Sequence, residues 1–196
     1  MLSLKDSLAV LRKTKALLEG HFVLSSGLHS PQYVQCAKLL SYPQKSEKFC
    51  KSLSTKIKKK FKKIDIILSP AMGGIVIGYI VGKLLNKETI FCERVNGKFK
   101  LRRGFSIKKN SKVLIVEDVI TTGKSSLECA RLVKKFKSKV VGYACLINRS
   151  SKSSLKIKDK DIVSQIKLEI PTYKKNDLPT GLKKIPITKP GSRYLK

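Results

Sequence analysis

"VLIVEDVITTGKSS", Val113 to Ser126, is the stretch whose reading decides the fold. Val113, Leu114, Ile115 and Val116 run without interruption into two adjacent carboxylates, Glu117 and Asp118. Two threonines, a glycine, a lysine and two serines then occupy Thr121 to Ser126. An unbroken apolar run marks a strand buried on both faces, and the glycine–hydroxyl turn leads into a helix. The same alternation continues outward. An amphipathic helix at about residues 44–62, a strand Ile64–Ser69, an apolar helix Gly73–Leu85 and a strand Thr89–Val95 come before it. A helix at about residues 125–136 and a strand Lys139–Arg149 come after it. Continuous apolar strands separated by helices predict an α/β fold, a central parallel sheet with helices on both faces. In such sheets ligands sit beyond the carboxyl ends of the strands, where every candidate site below falls.

The flanks read differently. Leu4, Leu8 and Leu11 recur at helical spacing and predict a surface helix without the continuous apolar core of a signal peptide. "HFVLSSGLHSPQYVQCAKLL", from His21, and the tail from Val163 predict extra strands and loops outside the sheet, as irregular cover. The 196 residues are expected to form a single domain, residues 1–196.

Composition narrows the class of function. No apolar run reaches the roughly 18–20 residues that a membrane span needs. Five scattered cysteines, Cys36, Cys50, Cys92, Cys129 and Cys145, predict free thiols in a reducing cytoplasm. The formal charge of +30 admits two readings, a polyanion footprint or a solvated lysine-rich surface. The densest run, Lys56 to Ile64, keeps Ile57, Phe61 and Ile64 at helical spacing, which fits the solvated face of an amphipathic helix, and makes nucleic acid an unlikely partner. Either way the field would attract a phosphorylated substrate.

The quoted stretch is not an ATP-binding P-loop, because Asp118 stands where that motif needs its first glycine. The turn nevertheless suits an anion. Backbone N–H groups and hydroxyls at a helix N-terminus can wrap a phosphate, and the helix dipole favours negative charge there by about 0.3–1 kcal/mol. Gly123 gives the backbone freedom for such a cradle. Glu117 and Asp118 are acceptors, so they suit donors, and two vicinal sugar hydroxyls supply two. A phosphate at the turn and a diol at the acids together describe ribose 5-phosphate. An ordinary capping turn with solvated or salt-bridged acids is the plainer alternative.

At these residues the chain resembles a family. Val113 to Ser125 looks like the phosphoribosyl pyrophosphate signature of the type I phosphoribosyltransferases. "FVLSSGLHSPQYV" (Phe22–Val34), "SPAMGGI" (Ser69–Ile75), "GKFKLRRGF" (Gly97–Phe105) and "KPGSR" (Lys189–Arg193) look like the orotate phosphoribosyltransferase branch. The resemblance implies transfer of ribose 5-phosphate from phosphoribosyl pyrophosphate to N1 of orotate, with magnesium, in pyrimidine biosynthesis. By it, Glu117 and Asp118 hold the ribose hydroxyls, while Val119, Ile120, Thr121, Thr122, Gly123, Lys124 and Ser125 line the donor site. Thr121 and Arg149 meet orotate, with Tyr33 near the ring and a small hood of N- and C-terminal segments over the base. His29 by itself is a weak signal.

A basic lid loop at about residues 94–112 is implied, with Arg94 on the donor and Lys98 among the catalytic groups; Lys100, Arg102 and Arg103 are further candidates. In the family this loop reaches into a neighbouring subunit's site, which implies a homodimer. Asn96-Gly97 predicts a hairpin turn within it. The chain departs from the family where some members carry lysines, having Met72, Gly73 and Gly74 in the pyrophosphate loop and Ser25 before the glycine. No protein cage for a metal is evident, so magnesium is expected to be held by pyrophosphate and water. Only His21 and His29 are present, which agrees with a reaction needing no side-chain nucleophile. A purine phosphoribosyltransferase and a non-enzymatic nucleic-acid-binding regulator stay open as alternatives.

Overall fold

The computed structural model describes residues 1–24, 26–150 and 155–189, which leaves Ser25 and residues 190–193 of the tail motif outside the described part. Helix α1 (Leu4–Lys13) begins at Ser3, whose hydroxyl accepts the Asp6 N–H at 3.1 Å and so caps a free helix donor. It is more than surface cover, because Leu11 is fully buried. Strands β1 (Leu17–Val23) and β2 (His29–Val34) pair antiparallel, and helix α2 (Cys36–Leu40) follows. Helix α3 (Pro43–Lys60) starts at a proline whose missing N–H costs nothing there. It buries Phe49, Cys50, Leu53 and Ile57 and turns Lys48, Lys51, Lys58, Lys59 and Lys60 to solvent, while the half-buried Lys56 donates to the Ser164 and Gln165 carbonyls of a later strand. The helix ends one residue short of Phe61, which is extended and lays its ring over Gly142, where any side chain would collide with it.

Next come β3 (Ile66–Pro70), α4 (Gly73–Leu85), β4 (Glu88–Val95), β5 (Lys98–Leu101), β6 (Lys112–Ile120), α5 (Lys124–Lys135) and β7 (Lys139–Asn148). The chain then forms β8 (Ile162–Lys167), α6 (Thr180–Lys183) and β9 (Ile187–Thr188). The main sheet runs β5-β4-β3-β6-β7-β8, parallel except for the β4–β5 hairpin. Strand β6 shows why both faces need cover: Leu114 and Val116 join the core with α1, α3 and α4, while Val113 and Ile115 join the core under α5. The expected two-faced parallel sheet is therefore present.

One expectation is corrected. The tail from Val163 was expected outside the sheet, but β8 pairs parallel with β7 and forms its edge. Ser164 and Gln165 disguise it, yet the Gln165 side chain is buried and donates to Leu2 O and Ser7 Oγ of the α1 region, each at 3.3 Å. Its amide nitrogen is thus paired inside the core, while its Oε1 is buried without a partner among the described residues. The second sheet, β2-β1-β9, is the hood, and it draws strands from both the N-terminal and C-terminal segments. His21 and His29 are both buried in it, His21 Nε2 lying 2.6 Å from His29 Nδ1 and His21 Nδ1 lying 3.2 Å from Ile185 O. The histidines thus join hood strands to the tail.

Candidate active site

The strand order reverses at one place. The chain leaves β3 for β4 on one side of the sheet, and leaves β6 for β7 on the other. A crevice therefore opens between the carboxyl ends of β3 and β6, and the turns that follow both strands face it.

Glu117 and Asp118 stand near the end of β6 and, as consecutive strand residues, face opposite sides. Glu117 points to α5, where Ser126 Oγ donates to its Oε1. Burial pushes its carboxyl up to about 7, and the Ser126 hydroxyl opposes that rise. Asp118 points to the start of α4. A Cβ added to Gly73 would stand 2.7 Å from Asp118 Oδ2, so glycine lets the backbone come against the carboxylate. Burial raises the Asp118 pKa, and backbone N–H groups oppose the rise, among them that of Val119, which donates to Oδ1 at 2.9 Å. Neither acid forms an ion pair among the described residues.

The turn after β6 is held from behind. The Arg149 N–H donates to Ile120 O at 2.8 Å, and the Lys156 N–H donates to Thr122 O at 2.8 Å. Gly123 adopts φ 68°, and a Cβ there would stand 2.9 Å from Ile157, so both conformation and space require glycine. Thr121, Thr122 and Lys124 are exposed and Ser125 half-buried, while Ile120 turns its side chain into the core. Val119 also packs against the core. These two can therefore offer a ligand only their backbone. The first turn of α5 carries Lys124 and no acid, which leaves its N-terminal donors electropositive.

Arg149 directly follows β7 and is half-buried, with its Nε buried and unpartnered among the described residues. Burial lowers its pKa, and the nearby Tyr33 hydroxyl raises it. Burial raises the Tyr33 pKa in turn, with Arg149 opposing and Asp118 adding to the rise. Tyr33 of the hood, Arg149 of the sheet and Asp118 of the crevice thus act on one space. The Cys36 thiol, just past β2, donates to Asp118 O at 3.8 Å and ties hood to crevice. His29 is spent on its partner histidine and on Tyr173, whose backbone N–H and C=O both pair with its own.

The turn after β3 contains a cis bond between Ala71 and Met72, and Met72 is exposed. Its side-chain donors are few. Ser69 Oγ is buried without a partner among the described residues, and Met72 just before α4 forms with Val76 and Tyr79 an exposed apolar stripe at helical spacing, followed by the exposed Lys83.

The basic loop forms the β4–β5 hairpin. Asn96 and Gly97 have φ 49° and 75°, as a two-residue turn with positive φ at both centres requires. Its three arginines are paired within this chain. Arg94 reaches Glu128 of α5 at 2.7 Å, donates to Gly97 O at 2.6 Å and lies 4.1 Å from the Phe99 ring centre. Arg103 and Arg102 lie 2.8 and 3.8 Å from Glu93. Lys98 lines an open cavity of about 330 Å³ between the hairpin and α5, together with Arg131 and Lys135. The hairpin is latched to its own α5 by Glu128. Sequence reasoning did not single out Glu128 or Ser126 and named Gly73 only in the pyrophosphate loop; each matters through a neighbour that folding brings to it.

All five cysteines are free and buried, as expected. Among the described residues no helix is long and apolar enough to cross a membrane.

A family model described as the phosphoribosyl transferase domain matches residues 40–175. The chain is 42% identical over 191 residues to a curated orotate phosphoribosyltransferase of Erythrobacter litoralis (strain HTCC2594), covering 96% of this chain and 97% of that relative. The crystal structure of orotate phosphoribosyltransferase from Aeropyrum pernix matches with TM-score 0.69 at 23% identity, covering 82% of this chain and 93% of that one. An adenine phosphoribosyltransferase from Thermoanaerobacter pseudethanolicus matches with TM-score 0.59 at 18% identity, covering 70% and 88%. At such identities the two structures speak for the fold alone.

Proposed function

The chain belongs to the phosphoribosyl transferase domain family, and from that premise we propose that it is an orotate phosphoribosyltransferase. It transfers the ribose 5-phosphate group of phosphoribosyl pyrophosphate to N1 of orotate, giving orotidine 5′-monophosphate and pyrophosphate, a step of pyrimidine biosynthesis. One observation carries the assignment of the sugar site. Two carboxylates with no ion pair among the described residues stand at the strand-order reversal, one turn from an electropositive helix start. The near-full-length likeness to an orotate enzyme supports the choice of base.

In this reading Glu117 and Asp118 accept from the ribose hydroxyls. The backbone from Ile120 to Ser125 and the hydroxyls of Thr121, Thr122 and Ser125 hold the 5′-phosphate. Thr121 and Arg149 meet orotate, Arg149 offering its guanidinium to the carboxylate or a ring carbonyl. The orphaned Nε of Arg149 and its nearness to Tyr33 support a planar anionic ligand there. Orotate N1 attacks C1 as pyrophosphate departs, and the anomeric centre inverts. Positioning and electrostatics supply the rate, so no side-chain nucleophile is needed. Arg94 and Lys98 of the hairpin answer the charge on the leaving group once the hairpin exchanges Glu128 for substrate.

Magnesium would supply charge neutralisation of the pyrophosphate. In this reading the ion is held by the pyrophosphate and water rather than by a protein cage. With no lysine in residues 69–75, backbone donors of that loop face the same group. The exposed apolar stripe Met72, Val76 and Tyr79 supports a homodimer, in which the hairpin can serve the neighbouring site. A single phosphoribosyltransferase domain working in the cytoplasm fits the free thiols.

The test is loss of orotate absorbance on adding phosphoribosyl pyrophosphate and magnesium, run beside adenine, hypoxanthine and uracil. Turnover of a purine in place of orotate would overturn the choice of base, and turnover of none would overturn the activity.

A further inference from the structure

Ser126 has a place in the crevice that the anion turn does not account for. It is fully buried in the first turn of α5, one residue past the hydroxyl-rich stretch Thr121 to Ser125. A serine inside a helix commonly turns its hydroxyl back to the carbonyl four residues earlier. Here that carbonyl, Thr122 O, accepts the Lys156 N–H, and the Ser126 hydroxyl reaches across to Glu117 Oε1 on β6 instead. The groups facing Glu117 otherwise repel negative charge or leave it unsolvated: Asp118 on its own strand, Glu128 and Cys129 on α5, and Cys145 on β7. Ser126 is the one partner that favours the ionised carboxylate among those acting on it.

We propose that Ser126 is a positioning residue for the sugar site. Its hydroxyl anchors Oε1 of Glu117 and leaves Oε2 as the acceptor presented to a ribose hydroxyl. The inference rests on the sugar-site reading above but adds to it a residue that never touches substrate. Glu117 has one more rotatable bond than an aspartate, so a carboxylate without this anchor would spread over several orientations and accept a diol poorly.

The test compares wild type with Ser126→Ala and Ser126→Thr. Removing the hydroxyl should raise KM for phosphoribosyl pyrophosphate about tenfold, the loss expected for one hydrogen bond to a charged group, with KM for orotate unchanged. The acid limb of kcat/KM should move to higher pH, and threonine should restore both. Carbon-13 titration of the glutamate carboxyls in the substrate-free protein, with Glu117→Gln to assign the signal, reads the same contact without turnover. Its midpoint should rise above the wild-type value of about 7 in the alanine variant. An unchanged midpoint together with an unchanged donor KM would overturn the proposal. If wild type fails to use orotate, the activity falls while the substrate-free titration still judges the Ser126–Glu117 contact. Should Ser126→Ala fail to fold by circular dichroism, Ser126→Cys, a weaker donor of similar size, takes its place.

Discussion

Two pairs of carboxylates stand within the same half of the molecule and meet opposite fates. Glu93 and Glu128, at the hairpin, are taken up by Arg94, Arg102 and Arg103. Glu117 and Asp118, in the crevice, form no ion pair among the described residues, in a chain with 43 lysines and arginines against 13 acids. Counter-charge is plentiful, so isolation of the crevice acids is a matter of geometry. A glycine backbone covers one and a serine hydroxyl the other, and neither brings a cation. Burial without a counter-charge raises both pKa values, with the Ser126 hydroxyl opposing the rise at Glu117, and an ion pair there would fill the space that the proposed diol needs.

The strongest way to break this contrast is Asp118→Asn, which keeps shape and removes charge. Donor kcat/KM should fall roughly 10²–10³-fold, and thermal unfolding should shift by no more than a few degrees, since no ion pair is lost. Normal turnover by that variant would sink the assignment of the acids.

The next effect is on stability. Burial pushes Glu117 up to about 7 in the folded chain from an ordinary glutamate value of about 4.5, so between those values the folded state binds more protons than the unfolded one. Stability should therefore decline as pH rises from about 4.5 to 7, by up to about 3 kcal/mol from this group alone. Urea unfolding across that range, wild type beside Glu117→Gln, reads it. The glutamine variant should lose this part of the slope, and equal slopes would contradict the shelter.

Arg149→Ala should raise KM for orotate about a hundredfold through loss of a charge-assisted contact, leaving donor KM nearly untouched. Arg149→Lys should rescue little, because a point charge cannot replace a planar fork. A comparable rise in donor KM would merge the two subsites.

The smallest effect sharpens the other half of the comparison. Glu128→Gln frees Arg94 from a partly exposed pair worth about 0.2–1 kcal/mol, so turnover should change only a few-fold. That change should fade at high salt, checked by repeating the assay across ionic strength.

Legibility in the sequence follows the range of each interaction. The apolar run into Glu117, the Asn96-Gly97 turn and the Gly73–Leu85 helix are local patterns, and each stands where the residues place it. Strand β8 escaped because Ser164 and Gln165 look solvent-facing until the α1 region arrives to accept from the Gln165 amide nitrogen. The contact of Gly73 with Asp118 was silent because it crosses the strand-order reversal, and that of Ser126 with Glu117 because spacing does not say which way a serine in the first turn of a helix sends its hydroxyl. Arg149 owed its selection to family resemblance together with its chemistry; its burial beside Tyr33 depends on the hood. The charge total said nothing of which cations are engaged.

The hood has a bearing on how the protein is made. His21 is bonded to Ile185, 164 positions later, and β1 pairs with β9. A ribosome that has translated as far as Ile157 has supplied the proposed sugar crevice and the residues that brace its turn, while the cover bearing Tyr33 still waits for β9. The proposed pentose half of the site can thus take shape before the strand that completes the cover of the proposed base half has been made.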